Sequence, residues 1–392
     1  MTAPLAYDAL VLLGFGGPEG VEEVVPFLER VTAGRGIPTE RLVEVGQHYF
    51  TLGGVSPINA QNRALRDALH EALWAREVPI EVVLANRNSP PFVPDVLSDL
   101  AGRGYRRVLA VATSAYAGYS GCRQYREDLG LALEATGLAL DVRKLGPFFD
   151  LPAFAGTIAE LLVGCLPADV DLAAESTRLV FTTHSIPTSM ARSAGPSGGA
   201  YVAQHRWVAQ RVTDALAEAT GVTKPWDLVF QSRSGPPSMP WLEPDVNDAL
   251  RELAATGAAD VVLVPIGFLS DHMEVIWDLD TQARQTAAEV GIRLVRAPTV
   301  GTHPAFVAAL AERLAAELRA GSPEPGAGEF CFGTCCENPR RPASVVPGTS
   351  SGARGRPRGR GACREAPAGD PRLRAGVDPV RHRGRPAAGA RP

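Results

Sequence analysis

Short apolar runs and amphipathic stretches alternate along most of the chain. Ala9 to Leu13 is continuously apolar, and it gives way through Gly14-Phe15-Gly16-Gly17-Pro18 to a stretch where Val21, Val24, Val25 and Leu28 recur at helical spacing. The first run predicts a strand buried on both faces, the second a helix with one face on the core. The alternation returns downstream. Val93, Val96, Leu97 and Leu100 make a helical stripe before a strand over 108–113. Further strands are predicted over 179–182, 228–230, 261–266 and 294–297, with a helix carrying Val246, Ala249, Leu250 and Leu253 between two of them. Such β-α alternation predicts α/β architecture, with parallel sheets covered by helices on both faces and joined by right-handed crossovers. A Pro-bearing connection from Gly146 to Pro152 marks the passage between two similar domains, and the last helix is expected from about Pro304 to Leu318.

After Pro342 the pattern stops. Gly, Pro, Ala, Ser and Arg dominate, and a segment so poor in apolar residues cannot offset its ordering entropy, so residues 342–392 are expected to be disordered. An Arg-Gly-rich tail can bind RNA; GC-rich coding sequence read out of frame is the plainer account. Charge divides at the same place. From Arg340 onward, thirteen Arg stand against Glu365, Asp370 and Asp378, which leaves that stretch near +10 and the body near −14 within an overall −4. An acidic body argues against a nucleic-acid surface and fits a cationic ligand. No apolar run reaches membrane-spanning length, and the N-terminus lacks a basic start and an apolar signal region, so a cytoplasmic protein without stable membrane insertion is expected. In a reducing compartment the six cysteines are not expected to form structural disulfides.

Candidate chemistry gathers at predicted strand ends. Beyond the strand over 261–266 come Asp271, His272, Glu274 and Asp278, and in open α/β sheets ligands bind outside the carboxyl ends of strands. If the chain is helical from Asp271, then Asp271, Glu274 and Asp278 share one face at i, i+3 and i+7. Three such carboxylates need a positive partner, which a divalent metal in transit or a basic neighbour in a salt-bridge network would provide. His184, in Thr182-Thr183-His184-Ser185-Ile186-Pro187, follows another strand, in a loop opened by Pro187. It is either a general base or a satisfied structural histidine. Gly14-Phe15-Gly16-Gly17-Pro18-Glu19 fails as a dinucleotide motif because Glu19 stands where the third glycine belongs. Its glycines instead permit a tight turn that brings backbone close to a ligand, with Phe15 pointing at it. Cys331, Cys335 and Cys336 do not have common zinc spacing and are one thiol short of a closed site. Either a fourth thiol, best Cys122, completes a metal centre, or these are free thiols.

Together these motifs resemble ferrochelatase, which inserts iron into a porphyrin. The resemblance covers roughly residues 8 to 340. It rests on Leu13-Gly14-Phe15-Gly16-Gly17-Pro18, Gly53 to Ile58, Tyr119-Ser120-Gly121-Cys122, Thr183 to Pro187, Gln231-Ser232-Arg233, Met239 to Leu242, and the stretch 259–280. It implies a chelatase fold of two Rossmann-like domains, each with a four-stranded parallel sheet, over 1–149 and 150–302. A helix over 303–320 would pack back on the first domain, and a cysteine-bearing extension would span 321–341. His184 and Glu274 would be catalytic and hold the substrate Fe²⁺, with Asp271, His272 and Asp278 in support. Phe15, Ser56, Ile58, Arg87, Tyr119 and Trp241 would line the porphyrin; Phe15, unlike Tyr or Met in other members, cannot ligate iron. Cys122, Cys331, Cys335 and Cys336 would hold a [2Fe-2S] cluster, leaving Cys165 and Cys363 as bystanders. The actinobacterial composition and the Cys-Cys pair resemble the branch that acts on coproporphyrin III, and the resemblance extends the expected partners to transient contact with neighbouring haem-pathway enzymes. The alternatives are protoporphyrin IX as substrate, a cobalt or nickel class II chelatase, and a non-catalytic haem carrier.

Overall fold

The computed structural model describes residues 4–34, 36–235, 238–320 and 335–339. Eight strands form two parallel sheets. The first contains β1 (Ala9–Gly14), β2 (Glu81–Asn86), β3 (Arg107–Ala112) and β4 (Asp141–Lys144) in the order β2-β1-β3-β4. The second contains β5 (Thr177–His184), β6 (Trp226–Gln231), β7 (Asp260–Val264) and β8 (Arg293–Arg296) in the order β6-β5-β7-β8. The two sheets therefore repeat one topology, with the first strand of each half at an interior position. That explains the unbroken apolar runs: β1 is buried at every residue, and β5 from Leu179 to Thr183.

The two-residue period of the strands sorts their side chains into layers. Leu10 and Leu12 of β1 join Leu179 and Phe181 of β5 and Val262 and Val264 of β7 in a common core. Ala9, Val11 and Leu13 face an outer cluster of the first half, and Val180, Val261 and Leu263 the matching cluster of the second. Between the sheets lie the helices Ile58–Trp74, Pro152–Gly164, Ala200–Thr220 and Pro304–Ala320, whose Leu65, Leu69, Phe154, Val208, Phe306 and Leu310 fill that shared core. The halves therefore have outer clusters of their own but one inner core between them. Pro304–Ala320 returns to the first half, where Ala6 N–H donates to Leu318 O at 2.8 Å and the Arg76 guanidinium to Ala308 O at 3.0 Å.

Three local readings differ from the fold. β5 runs on to His184, which pairs in register with Gln231, so this histidine ends a strand instead of sitting in a loop. Helix begins at Met273, not Asp271, and after Val275 it widens into a π-helix over Ile276–Ala283. Asp271 is therefore off the face that carries Glu274 and Asp278. Among the described residues no helix is long and apolar enough to cross a membrane. The expectations for Cys331, Cys363 and the stretch after Pro342 fall outside the described residues.

Candidate active site

The carboxyl ends of β1 and β5 meet at one cleft, and loops tie its two walls together. Gln61, on the first-half helix Ile58–Trp74, makes a two-way clasp with the backbone of Asp271: its Nε2–H donates to the carbonyl, and its Oε1 accepts the amide, both at 3.0 Å. The Tyr116 hydroxyl donates to Ile266 O at 2.7 Å from the first half into the loop after β7.

On the second-half wall, His184 Nε2 lies 3.6 Å from a Glu274 carboxylate oxygen. The other ring nitrogen, Nδ1, faces the Ser185 carbonyl. A carbonyl can only accept, so Nδ1 carries a proton there and Nε2 is the nitrogen turned towards Glu274. An imidazole nitrogen and a carboxylate oxygen thus face each other across a gap that a proton or a cation would bridge. Asp278 lies behind them. The Ser232 hydroxyl donates to it, and Gln231 Nε2 stands at 3.4 Å. Burial, with Glu274 nearby, still pushes its carboxyl up to about 6, against the lowering effect of the Ser232 bond. His272 sits edge-on to Phe268 at 4.8 Å. Burial holds it below the usual histidine range, although the Glu274 and Asp271 carboxylates pull the other way. Asp271 does not share this cluster: Arg296 takes it at 2.8 Å and Asp280 at 2.6 Å. Arg296 is thus the basic neighbour that offsets the Asp271 charge.

On the first-half wall, the glycines after β1 approach the chain itself, not open space. A Cβ on Gly16, at φ +81°, would stand 2.5 Å from Ser89 Oγ, and one on Gly17 would stand 2.7 Å from both Ile58 Cγ2 and Ser56 Cβ. Ser56 and Ile58 are accordingly buried, at 4% and 6% exposure, beneath this turn. Phe15 remains 36% exposed, its ring edge-on to Phe27 at 6.2 Å. Arg87 reaches 5.9 Å from Phe15 and stacks over Tyr125 at 4.0 Å, while its Nε meets Asp128 at 2.5 Å. Its Nη2 is buried without a hydrogen-bond partner among the described residues. Tyr119 is buried, with its hydroxyl on Glu127 at 3.0 Å. On the second-half side, Trp241 bridges to Pro187, its indole N–H buried and without a partner among the described residues.

Sequence reasoning passed over several residues here. His48, on the helix Thr39–Thr51, stacks on Trp277 of the π-helix with centroids 4.1 Å apart. Beside it, Tyr49 is raised above the usual phenol range by burial and by the Glu274 and Asp278 carboxylates. Gln61 and Arg296 belong with them. Each looks like an ordinary polar residue until the fold brings a distant partner to it.

Away from the cleft, Cys122, Cys335 and Cys336 share one buried cluster with Ala117, Ala194 and Ala200. The Cys335 and Cys336 sulfurs are 3.6 Å apart, Gly195 N–H donates to Cys336 Sγ at 3.1 Å, and Lys144 Nζ stands 3.5 Å from Cys122 Sγ. Cys165 lies elsewhere, its thiol bonded to Leu162 O. Among the described residues no group of three or more His, Cys, Asp or Glu is arranged to hold a metal ion.

Comparison with known proteins fits this arrangement. The chain is 48% identical over 367 residues to the coproporphyrin III ferrochelatase of Leifsonia xyli subsp. xyli, covering 87% of this chain and 93% of that one. It is 54% identical over 316 residues to the protein of the same name from Streptomyces coelicolor, covering 78% and 84%. It is 48% identical over 359 residues to that of Propionibacterium freudenreichii, covering 89% and 99%. The ferrochelatase family model matches residues 7–318, which include both sheets and both walls of the cleft, and the chain belongs to the ferrochelatase family.

Proposed function

We propose that this chain inserts Fe²⁺ into coproporphyrin III, and that His184 and Glu274 flank the point of transfer. The observation that carries this reading is the 3.6 Å gap between His184 Nε2 and the Glu274 carboxylate at the end of β5. Metallation exchanges two pyrrole protons for one dication, so the site must offer both a ligand for the ion and an acceptor for protons. An imidazole nitrogen and a carboxylate oxygen hold Fe²⁺ without the tenacity of thiolates, and either group can then accept a proton. Asp278 supports Glu274 from behind, His272 closes the end of the loop, and Phe15 offers an apolar face across the cleft. Coproporphyrin, with its four propionates, is favoured because the relatives at 48% and 54% identity carry that substrate in their names. Turnover of coproporphyrin III and protoporphyrin IX by the purified chain with Fe²⁺ tests the assignment. Coproporphyrin should be consumed faster, and a preference for protoporphyrin would overturn the substrate.

The cysteines support a second element of the reading, a [2Fe-2S] centre held by Cys122, Cys335, Cys336 and Cys331. Three of the four thiols converge from opposite parts of the chain, and a backbone N–H and a buried ammonium are directed at two of the sulfurs, as anionic sulfur requires. When bound, such a cluster would cross-link the Tyr119–Arg123 turn to the segment around Cys336. Purified chain should carry two irons and two sulfides beyond any substrate iron, with Cys336→Ser abolishing both.

A further inference from the structure

Between the cysteine pocket and His184 stands one side chain that touches both. Tyr201 is the second residue of the helix Ala200–Thr220, and its ring packs against the cysteine cluster on one side and against Tyr119, Ile186 and Met190 on the other. A Cβ on Gly118 would stand only 3.3 Å from Tyr201 Cδ2, and Gly118 O accepts the Cys122 amide at 3.1 Å. At the other edge of the pocket Gly195, which donates to Cys336 Sγ, is held against Ala200, and Ala200 N–H returns to Ala194 O at 2.9 Å. The start of this helix is therefore held from both sides by the chain around the thiols.

The far end of Tyr201 reaches the active site. Its hydroxyl lies 2.8 Å from His184 O and 3.0 Å from Thr183 Oγ1. The direction of these bonds follows from proton counting. Burial pushes His205 down to about 3, so its ring is neutral and has one N–H. Nδ1 faces Tyr201 O at 2.7 Å and must donate there, so Nε2, at 2.9 Å from Thr183 Oγ1, accepts the threonine proton. Tyr116 stacks on the His205 ring at 3.7 Å and holds it in place. With the threonine proton committed to His205, the single tyrosine proton faces two acceptors, the His184 carbonyl at 2.8 Å and Thr183 Oγ1 at 3.0 Å, and the carbonyl is the nearer.

We propose that Tyr201 is a positioning residue that fixes the main chain of His184 and couples it to the cysteine pocket, so that a change in the state of those thiols is felt at the metallation histidine. This rests on the reading of His184 given above and not on the identity of the group the cysteines hold. β5 pairs with β7 only as far as Phe181, whereas on the β6 side it pairs as far as His184 with Gln231, so the Tyr201 bond adds a tether at the end that β7 leaves unpaired.

The test uses the full-length chain as wild type, Tyr201→Phe, Cys336→Ser and the double variant. Backbone amide exchange is followed over 183–186 without substrate, and steady-state metallation of coproporphyrin III is measured beside it. Tyr201→Phe should speed exchange over 183–186 and lower kcat about 3- to 10-fold with the porphyrin KM unchanged, the scale of one lost hydrogen bond. Cys336→Ser should speed the same amides, and the effect of the double variant should fall short of the sum of the two single effects. Wild-type exchange in Tyr201→Phe, wild-type exchange in Cys336→Ser, or fully additive effects would each overturn the coupling. If Cys336→Ser does not fold, Gly195→Ala serves, since its methyl would stand 2.4 Å from Ala200 Cβ and displace the helix start without removing a thiol. Failure of the metallation reading would look different: the wild type would not consume porphyrin, while the exchange results would still decide the coupling.

Discussion

The two sheets share one topology and present different chemistry at corresponding ends. β1 and β5 are each the first strand of their half, with the same neighbours on either side, and each delivers its carboxyl end to the cleft. At the end of β1 stand Gly14, Phe15, Gly16 and Gly17, which bury Ser56 and Ile58 under a turn and leave one aromatic ring facing out. At the end of β5 stands His184, with Glu274 opposite and Asp278 behind it. The fold thus supplies two equivalent positions, and on the function proposed above the residues placed there would divide the work: one wall for an apolar face, the other for an ion and protons.

The sharpest way to break that division is His184→Ala, which should lower metallation by about 10²- to 10⁴-fold while free-base porphyrin still binds, as read by fluorescence quenching. A first-wall change with the same effect on kcat would dissolve the distinction. Next comes Arg296→Met, which leaves Asp271 and Asp280 facing each other without their cation. Breaking a largely buried ion network should cost about 2–4 kcal/mol in urea unfolding, somewhat below fully buried cases because these groups keep partial solvent access. Asp278→Asn should act in the opposite direction. A carboxyl raised to about 6 in the folded chain binds more protons there than when unfolded, so between about pH 4 and 6 stability falls as pH rises. The charged form is thus a cost at pH 7. Its removal should stabilise the chain there by about 1–3 kcal/mol and give nothing near pH 3.5, which melting curves at both pH values would read. The smallest effect belongs to the first wall: Phe15→Ala should raise the porphyrin KM about 3- to 10-fold with kcat nearly unchanged, since a partly exposed ring contributes contact area and no proton or ligand.

Much of this was legible in the sequence where burial is continuous. β1, β3, β5 and β7 are apolar runs, and Asp245 caps the helix Val246–Ala255 by accepting the Asn247 amide, so pattern and structure agree there. β4, Asp-Val-Arg-Lys, is an edge strand with one buried apolar side chain, and no periodicity marks it. The site was legible as a cluster of residue types at strand ends, and less so as geometry. That Asp271 belongs to Arg296 and not to Glu274 depends on a residue 25 positions away, and the π-helix at Ile276 has no compositional signature. His48 and Tyr49 lie on a polar helix face that reads as solvated until Trp277 and Glu274 arrive opposite.

The inner core that both sheets share has a mechanical consequence. Because Leu10 and Leu12 are packed into the same body of side chains as Phe181 and Val264, the two walls cannot swing apart without opening that body to water. Opening the cleft as jaws on a hinge would therefore cost roughly 25 cal/mol for each Å² of apolar core exposed. Outside that shared packing lie the Thr39–Thr51 helix and the widened turn at Ile276 that leans on it through His48 and Trp277, and these can shift without opening the inner core.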